Sequence, residues 1–354
     1  MRYTCFLFVL LLSIESFAQE DSTKSIKVNT YIDMYYSYDF SNPINFEKPD
    51  YNYNYKKHNQ LNVNLAFVKL GYQASRVRSN LALMTGNYTM YNLSAEPNWA
   101  KPILEANIGY KIAKQQNIWV DAGVMPSHIG FESTIGADCW NLSRSLLAEN
   151  SPYYETGIKF SYANKRENLY MAFHLLNGWQ KIAVPNWDGK PSAGVQLTYK
   201  PSDYLTLNYS NFIGRIQSDT LDALRVFHNL YAIYEASPKT ALIFGFDIGT
   251  QKNTQSKVAV WYTPVLIAKL NLNNRSKIAG RIEYYMDKNQ VIIPTTTPNG
   301  FQTFGVSVNY DRQILPYVLL RTELKQYKSM DRIYRYEQTS TSQTTATMAL
   351  IVKF

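Results

Sequence analysis

A period of two, repeated in sixteen stretches with turn-forming residues between them, constrains this chain more than any other feature. Successive side chains of a β-strand point to opposite faces, so such alternation marks strands with one apolar and one polar face. The first stretch sets Val28, Ile32, Met34, Tyr36, Tyr38 and Phe40 against Asn29, Asp33, Ser37 and Asp39. The fourth sets Leu104, Ala106, Ile108, Tyr110 and Ile112 against Glu105, Asn107 and Lys111. The thirteenth sets Ile278, Ile282, Tyr284 and Met286 against Arg281, Glu283 and Asp287. In the second, the apolar face Leu61, Val63, Leu65, Phe67 would next place Lys69 among apolar neighbours. A bulge near Phe67 is therefore expected, turning Val68, Leu70 and Tyr72 outward and Lys69 away. The last stretch carries Ala346, Met348, Leu350 and Val352 on one face and stops on Phe354.

Alternation alone fits a soluble sandwich as well as a membrane barrel, and the links between strands decide. Short links at 73–79, 113–117, 163–168, 200–203, 235–239, 271–277 and 311–315 alternate with mostly longer ones at 42–57, 88–102, 126–155, 178–191, 214–223, 288–299 and 329–342. In an up-and-down meander every second link lies at the same end, which gives one trim rim and one elaborate rim, the layout of outer-membrane barrels. The apolar residue nearest the short links is repeatedly aromatic: Tyr72, Tyr110, Tyr162, Tyr199, Tyr234, Tyr310 and Phe354. Such a ring suits a membrane–water interface, where an apolar body and a wet hydroxyl are both satisfied.

Charge placement agrees. A Lys or Arg facing lipid at mid-bilayer costs about 2–4 kcal/mol, and the apolar faces here are almost free of charge. Lipid offers no partner to unpaired backbone, so the sheet has to close, with the first and last strands joined. The expected fold is all-β, a transmembrane antiparallel up-and-down barrel of about sixteen strands, with a secreted soluble β-domain as the alternative. Phe354 would then end the sealing strand, and a terminal aromatic after alternating apolar residues resembles the signal read by barrel-insertion machinery.

Residues 1–18 read as a signal peptide: Arg2 precedes a short apolar run at 6–14, and Ser16 and Ala18 supply small residues for cleavage. The barrel would occupy 19–354. Cys5 leaves with the signal, so Cys139 stands alone and no disulfide framework is expected. Mean hydropathy is −0.30 and no later apolar run reaches membrane-helix length. A content of 29 Tyr and 16 Phe is too aromatic for a disordered chain. The net charge of +9 lacks any basic run of five, which argues against nucleic acid as a partner and for a basic surface or lumen.

Four blocks, "YYSYDFSNP" (35–43), "GVMPSHIGFES" (123–133), "LSRSLLAENSPYYETG" (142–157) and "LNGWQ" (176–180), give the sequence a family likeness. Together they resemble the OmpL-like β-barrel porin family (porin-2 type) of Gram-negative bacteria, across essentially the whole mature chain. The resemblance implies a bacterial outer-membrane barrel with pore activity and says little about substrate.

Within that frame, segment 126–155 is expected to fold inward and narrow the bore, the alternative being a surface cap with solvated charges. His128, Glu132, Asp138, Arg144, Glu149 and Glu155 would then face His174, Arg281, Glu283, Arg321 and Glu323 on the wall, and opposed charges would orient a polar solute. An enzyme is not expected. Ser127 and His128 are neighbours that point apart, and His58, His174 and His228 stand alone, so no nucleophile–base set emerges. No metal site or cofactor is expected: Asp138, Glu149 and Glu155 lack calcium-ligand spacing. Trp179 and Trp187 could stack on a sugar or anchor at the interface. The functional expectation is passive diffusion of small hydrophilic solutes with a mild anion preference. A non-conducting adhesin or assembly partner is the alternative, and homo-oligomerisation is left open.

Overall fold

The computed structural model describes residues 24–184, 190–218, 221–252, 257–334 and 339–354. The signal-peptide reading of 1–18 and Trp187 lie outside the described residues. The alternating stretches form β1 (Ser25–Asp39), β2 (Leu61–Gln73), β3 (Val77–Thr85), β4 (Ile103–Lys111), β5 (Asn117–Pro126), β6 (Tyr154–Ala163), β7 (Leu169–Leu176) and β8 (Ser192–Ser202). They continue as β9 (Leu205–Ser218), β10 (Leu221–Tyr234), β11 (Thr240–Lys252), β12 (Val258–Asn273), β13 (Ser276–Asp287), β14 (Phe301–Leu315), β15 (Val318–Ser329) and β16 (Ser342–Lys353). Each strand pairs antiparallel with its neighbours in sequence, and β1 pairs with β16 from Tyr31↔Lys353 to Asp39↔Thr345, closing the barrel. Phe354 extends that seam, with its N–H on the Thr30 carbonyl at 3.1 Å and its carbonyl accepting from the Thr30 amide at 2.6 Å.

The two faces are those of a membrane barrel. On β1, Tyr31, Asp33, Tyr35, Ser37 and Asp39 are buried inside while Ile32, Met34 and Tyr36 are exposed outside. On β13, Arg281, Glu283 and Asp287 are buried and Ile282 is exposed. Large apolar side chains are thus the exposed ones, an inversion that lipid rather than water explains. The interior is packed in two clusters. One gathers Tyr31, Tyr35, Tyr55, Leu65, Tyr88 and Leu142, and the other Phe212, Phe227, Trp261, Tyr285 and Phe301.

Two expectations are corrected. The β2 bulge lies at Asn64, where the register with β1 shifts between Asp33 and Met34, so Leu65 and Phe67 face the interior. Asn64 is drawn inward because its side chain accepts from the Tyr55 amide at 2.9 Å and donates to Asp33 at 3.3 Å. Phe67 then stacks on Tyr31 with centroids 5.2 Å apart. The second correction concerns 214–223, expected as a long link: β9 runs to Ser218 and β10 resumes at Leu221, paired with it. Arg215 and Asp222, both well exposed on the outward face, pair across this hairpin, so polar residues stand where an apolar face would have marked the strands.

Candidate functional site

Segment 127–153 crosses the interior. It leaves β5 at Pro126, and the His128 carbonyl accepts from Ser210 Oγ at 2.8 Å on β9. The Gly130 amide donates to Asn229 on β10 at 3.1 Å. Phe131 lies against Gly245 on β11 so closely that a Cβ there would come within 2.3 Å of its ring. The chain then reaches the far wall. Arg321 on β15 donates to the carbonyls of Gly136, Cys139 and Trp140 at 2.5, 3.0 and 3.0 Å. The amides of Leu142, Ser143 and Leu146 donate to Asn309, Glu323 and Glu283 at 3.0, 2.7 and 2.5 Å. Arg281 donates to the Ser143 carbonyl at 2.8 Å. β14 and β6 stand eight strands apart in a ring of sixteen, so these contacts span the bore. Irregular backbone placed indoors needs a partner for every N–H and C=O, and the charged wall supplies them.

The segment is also braced internally. A short helix, α1 (Leu146–Glu149), is capped by Ser145, whose Oγ accepts from the Ala148 amide at 3.2 Å. Glu132 accepts in turn from the Ser145 amide at 3.0 Å and from its hydroxyl, and its other oxygen lies 3.9 Å from Arg281.

The anticipated site residues differ in what holds them. Arg281, Glu283, Arg321 and Glu323 are almost completely covered by the segment and serve as its anchorage. Arg144 is fully buried and turns back on its own segment, donating to the carbonyls of Ser133, Thr134 and Leu142 at 2.7, 2.8 and 2.9 Å. Glu149 accepts from the Tyr53 amide at 2.8 Å and the Asn54 side chain at 3.2 Å, joining the first long link to this one. Asp138 meets Lys353 at 2.7 Å, with both side chains open to solvent.

Glu155, His128 and His174 form a cluster of their own. Glu155 Oε2 is 2.6 Å from His128 Nδ1 and Oε1 is 2.7 Å from His174 Nδ1, with the two rings stacked 4.1 Å apart. The expectation of solitary histidines is therefore corrected. His58 Nδ1 accepts from the Asp39 amide at 2.8 Å, and His228 lies 2.8 Å from the Tyr209 hydroxyl. Closing the barrel brings these partners together from positions that sequence order separates. Ser127 Oγ accepts from the Ile129 amide at 3.1 Å. Of the aromatics expected at the interface, Tyr110, Tyr199, Tyr234, Tyr310 and Phe354 are exposed, and Tyr72 and Tyr162 are half-exposed.

Two features escaped the sequence. The first long link also folds in, burying Tyr55, Lys56 and His58. In it, burial and the neighbouring Lys325 pull Lys48 down to about 7, against the opposing pull of Asp39, Glu323 and Glu149. Burial likewise raises Glu132 and Glu149 above the ordinary carboxylate range. The second feature is the charge on the short-turn side of the segment. Lys69–Glu105, Arg78–Asp121, Lys159–Asp121 and Lys277–Asp311 pair there at 2.6, 2.5, 3.7 and 3.3 Å. The cationic side chains are 22–31% exposed and the carboxylates only 1–9%. Inward parity after the bulge is the signal that marks Lys69 in the sequence.

A closed sixteen-stranded barrel with an apolar exterior, a charged inner wall and a segment drawn across the bore defines a porin-like channel protein. Solved structures share the architecture. An anion-selective porin from Comamonas acidovorans superposes with a TM-score of 0.63 at 11% identity, covering 94% of this chain and 100% of that one. The outer-membrane channel DcaP of Acinetobacter baumannii gives 0.61 at 7%, covering 95% and 99%. Salmonella typhi OmpF gives 0.59 at 10%, covering 95% and 99%. At such identities the likeness is one of fold. The family described as "Putative beta-barrel porin-2, OmpL-like" matches residues 25–354, and the chain belongs to it. No curated protein matches the sequence.

Proposed function

We propose that this porin-like barrel resides in the bacterial outer membrane and passes small hydrophilic solutes by passive diffusion, with a mild preference for anions. In this reading segment 126–155 is the constriction. The observation that carries it is the pairing pattern beneath that segment, where ammonium and guanidinium groups are open to solvent and their carboxylates are not. Ions passing such a wall meet a positive field, which favours anions. The apolar exterior takes outer-membrane lipid as its partner, and the β1–β16 seam ending on Phe354 is what the insertion machinery would engage. Neither a cofactor nor an energy source enters this reading, and no catalytic step is assigned.

Planar-bilayer recording tests it. Discrete conductance steps are expected, with a reversal potential in a KCl gradient that leans toward chloride. A cation-leaning potential would remove the charge argument. Absence of any conductance would favour a non-conducting barrel that acts through its outer loops as an adhesin or assembly partner.

A further inference from the structure

We propose that His128, Glu155 and His174 form a binding site for a divalent transition-metal ion of the zinc class at the root of the inward segment. The three come from separate elements: His128 lies two residues beyond β5, Glu155 is on β6 and His174 is on β7. All are buried, and one donor atom from each lies within 4.8 Å of the others.

The protonation logic calls for a cation between them. His128 Nε2 lies 2.8 Å from the Asn211 carbonyl. A carbonyl only accepts, so Nε2 carries the hydrogen and the neutral ring presents a bare Nδ1 lone pair. That lone pair faces Glu155 Oε2 at 2.6 Å. Two electron-rich atoms so close repel unless a positive centre sits between them, either a proton or a metal. A carbonyl on the far nitrogen is also the usual support of a metal-ligating histidine, since it sets the tautomer and raises basicity.

His174 supplies the second observation. It is 1% exposed, yet neither of its ring nitrogens makes a hydrogen bond, and Glu155 Oε1 beside it is also unsatisfied. Its Nδ1 approaches Oε1 to 2.7 Å without the alignment of a hydrogen bond. A buried imidazole with neither nitrogen in a hydrogen bond is costly, and coordination through Nδ1 would remove the share of that cost that Nδ1 carries. The wall makes room for the arrangement: a Cβ on Gly194 would come within 2.6 Å of His128 Nε2. Lys159, which pairs in register with His174, turns its ammonium to Asp121 at 3.7 Å.

The donor set selects the ion. Two imidazole nitrogens and one carboxylate suit Zn²⁺ and its neighbours, leaving a coordination position for water, whereas calcium and magnesium take oxygen ligands. Metal–ligand bonds of about 2.0–2.1 Å place tetrahedral donor atoms roughly 3.3 Å apart, so on loading the carboxylate would draw back from His128 by about 0.7 Å, and the stacked rings would turn to bring both Nδ1 lone pairs onto the ion. The ion would then staple the start of the segment to β6 and β7. This inference does not depend on transport.

The test uses tag-free full-length protein in detergent, stripped with a chelator and titrated with Co²⁺. The expected result is one Co²⁺ per chain, with visible d–d bands that Zn²⁺ abolishes. His174→Ala and Glu155→Gln should each weaken Co²⁺ binding at least tenfold, while His228→Gln leaves it unchanged. X-ray absorption on the zinc-loaded wild type needs no variant and should show two imidazoles with oxygen in the remaining positions. A folded wild type without stoichiometric Co²⁺ binding, an affinity indifferent to His174→Ala, or an all-oxygen zinc shell would each overturn the proposal. The first of these outcomes would leave the His128–Glu155 contact to a proton.

Discussion

Lys48 concentrates the electrostatic problem of this interior into one ammonium group. It is buried, its best hydrogen bond is a long 3.4 Å contact to Thr347 Oγ1, and Lys325 repels it from β15. Asp39 on β1, Glu323 on β15 and Glu149 on the crossing segment attract it, and burial still wins, leaving its pKa at about 7. The sign follows directly. Below pH 7 the bore holds one more positive charge than above it, so chloride preference should fall as pH rises from 6 to 9. The Lys48→Met variant should lack this part of the drift in reversal potential. An unfolded chain keeps the lysine protonated to about 10.5, so docking of the first long link should strengthen as pH rises from about 7 to 10.5. If Lys48→Met drifts with pH as the parent does, Lys48 is not the titrating group. Nothing in the sequence marked this residue, because it is buried where β1, β15 and a second loop meet around it.

The strands were the most legible part of the molecule, since their alternation is set by the outward contact with lipid. On β13, Ile282 is exposed outward and opposes Leu266 on β12 and Val306 on β14, well inside both rims. Ile282→Lys should destabilise the barrel by about 2–4 kcal/mol, while the rim substitution Asn273→Lys should cost about 0–1 kcal/mol. Urea titration of refolding into phospholipid vesicles measures both. Equal costs would mean that Ile282 does not face hydrocarbon. Legibility failed where that outward constraint lapses. At Asn64 the inner hydrogen bonds to Asp33 and Tyr55 decide the register, and at Arg215 and Asp222 the outward face is itself polar. Alternation identified Arg281, Glu283, Arg321 and Glu323 as inward-facing, but it carries no record of what covers an inner face. Their role as anchors for loop backbone was therefore invisible in the sequence.

The barrel and its inward links behave as one assembly, because Glu149 holds the first link while the wall holds segment 127–153. The length and chemistry of 126–155 pointed to an inward fold, whereas the 42–57 link gave no comparable sign, its ties running to Asp33, Tyr35, Asn64 and Glu149, which the closed barrel brings beside it. Excising residues 130–150 in favour of a short glycine-rich link keeps β5, β6, His128 and Glu155 in place. It removes the crossing backbone and the Glu149 tether together. Conductance follows the open cross-section, so the single-channel step should rise by roughly twofold or more. Its noise should rise as well, because residues 42–57 lose their bonds from Tyr53 and Asn54 to Glu149. The excised barrel should also melt at lower temperature, since the cut strands the charges of Arg281, Glu283, Arg321 and Glu323 without the backbone groups they satisfied. Heat-dependent gel migration reports whether the variant has closed at all. A closed variant with an unchanged conductance step would show that the crossing segment does not limit flow, and the narrowest point would then lie among the other inward links.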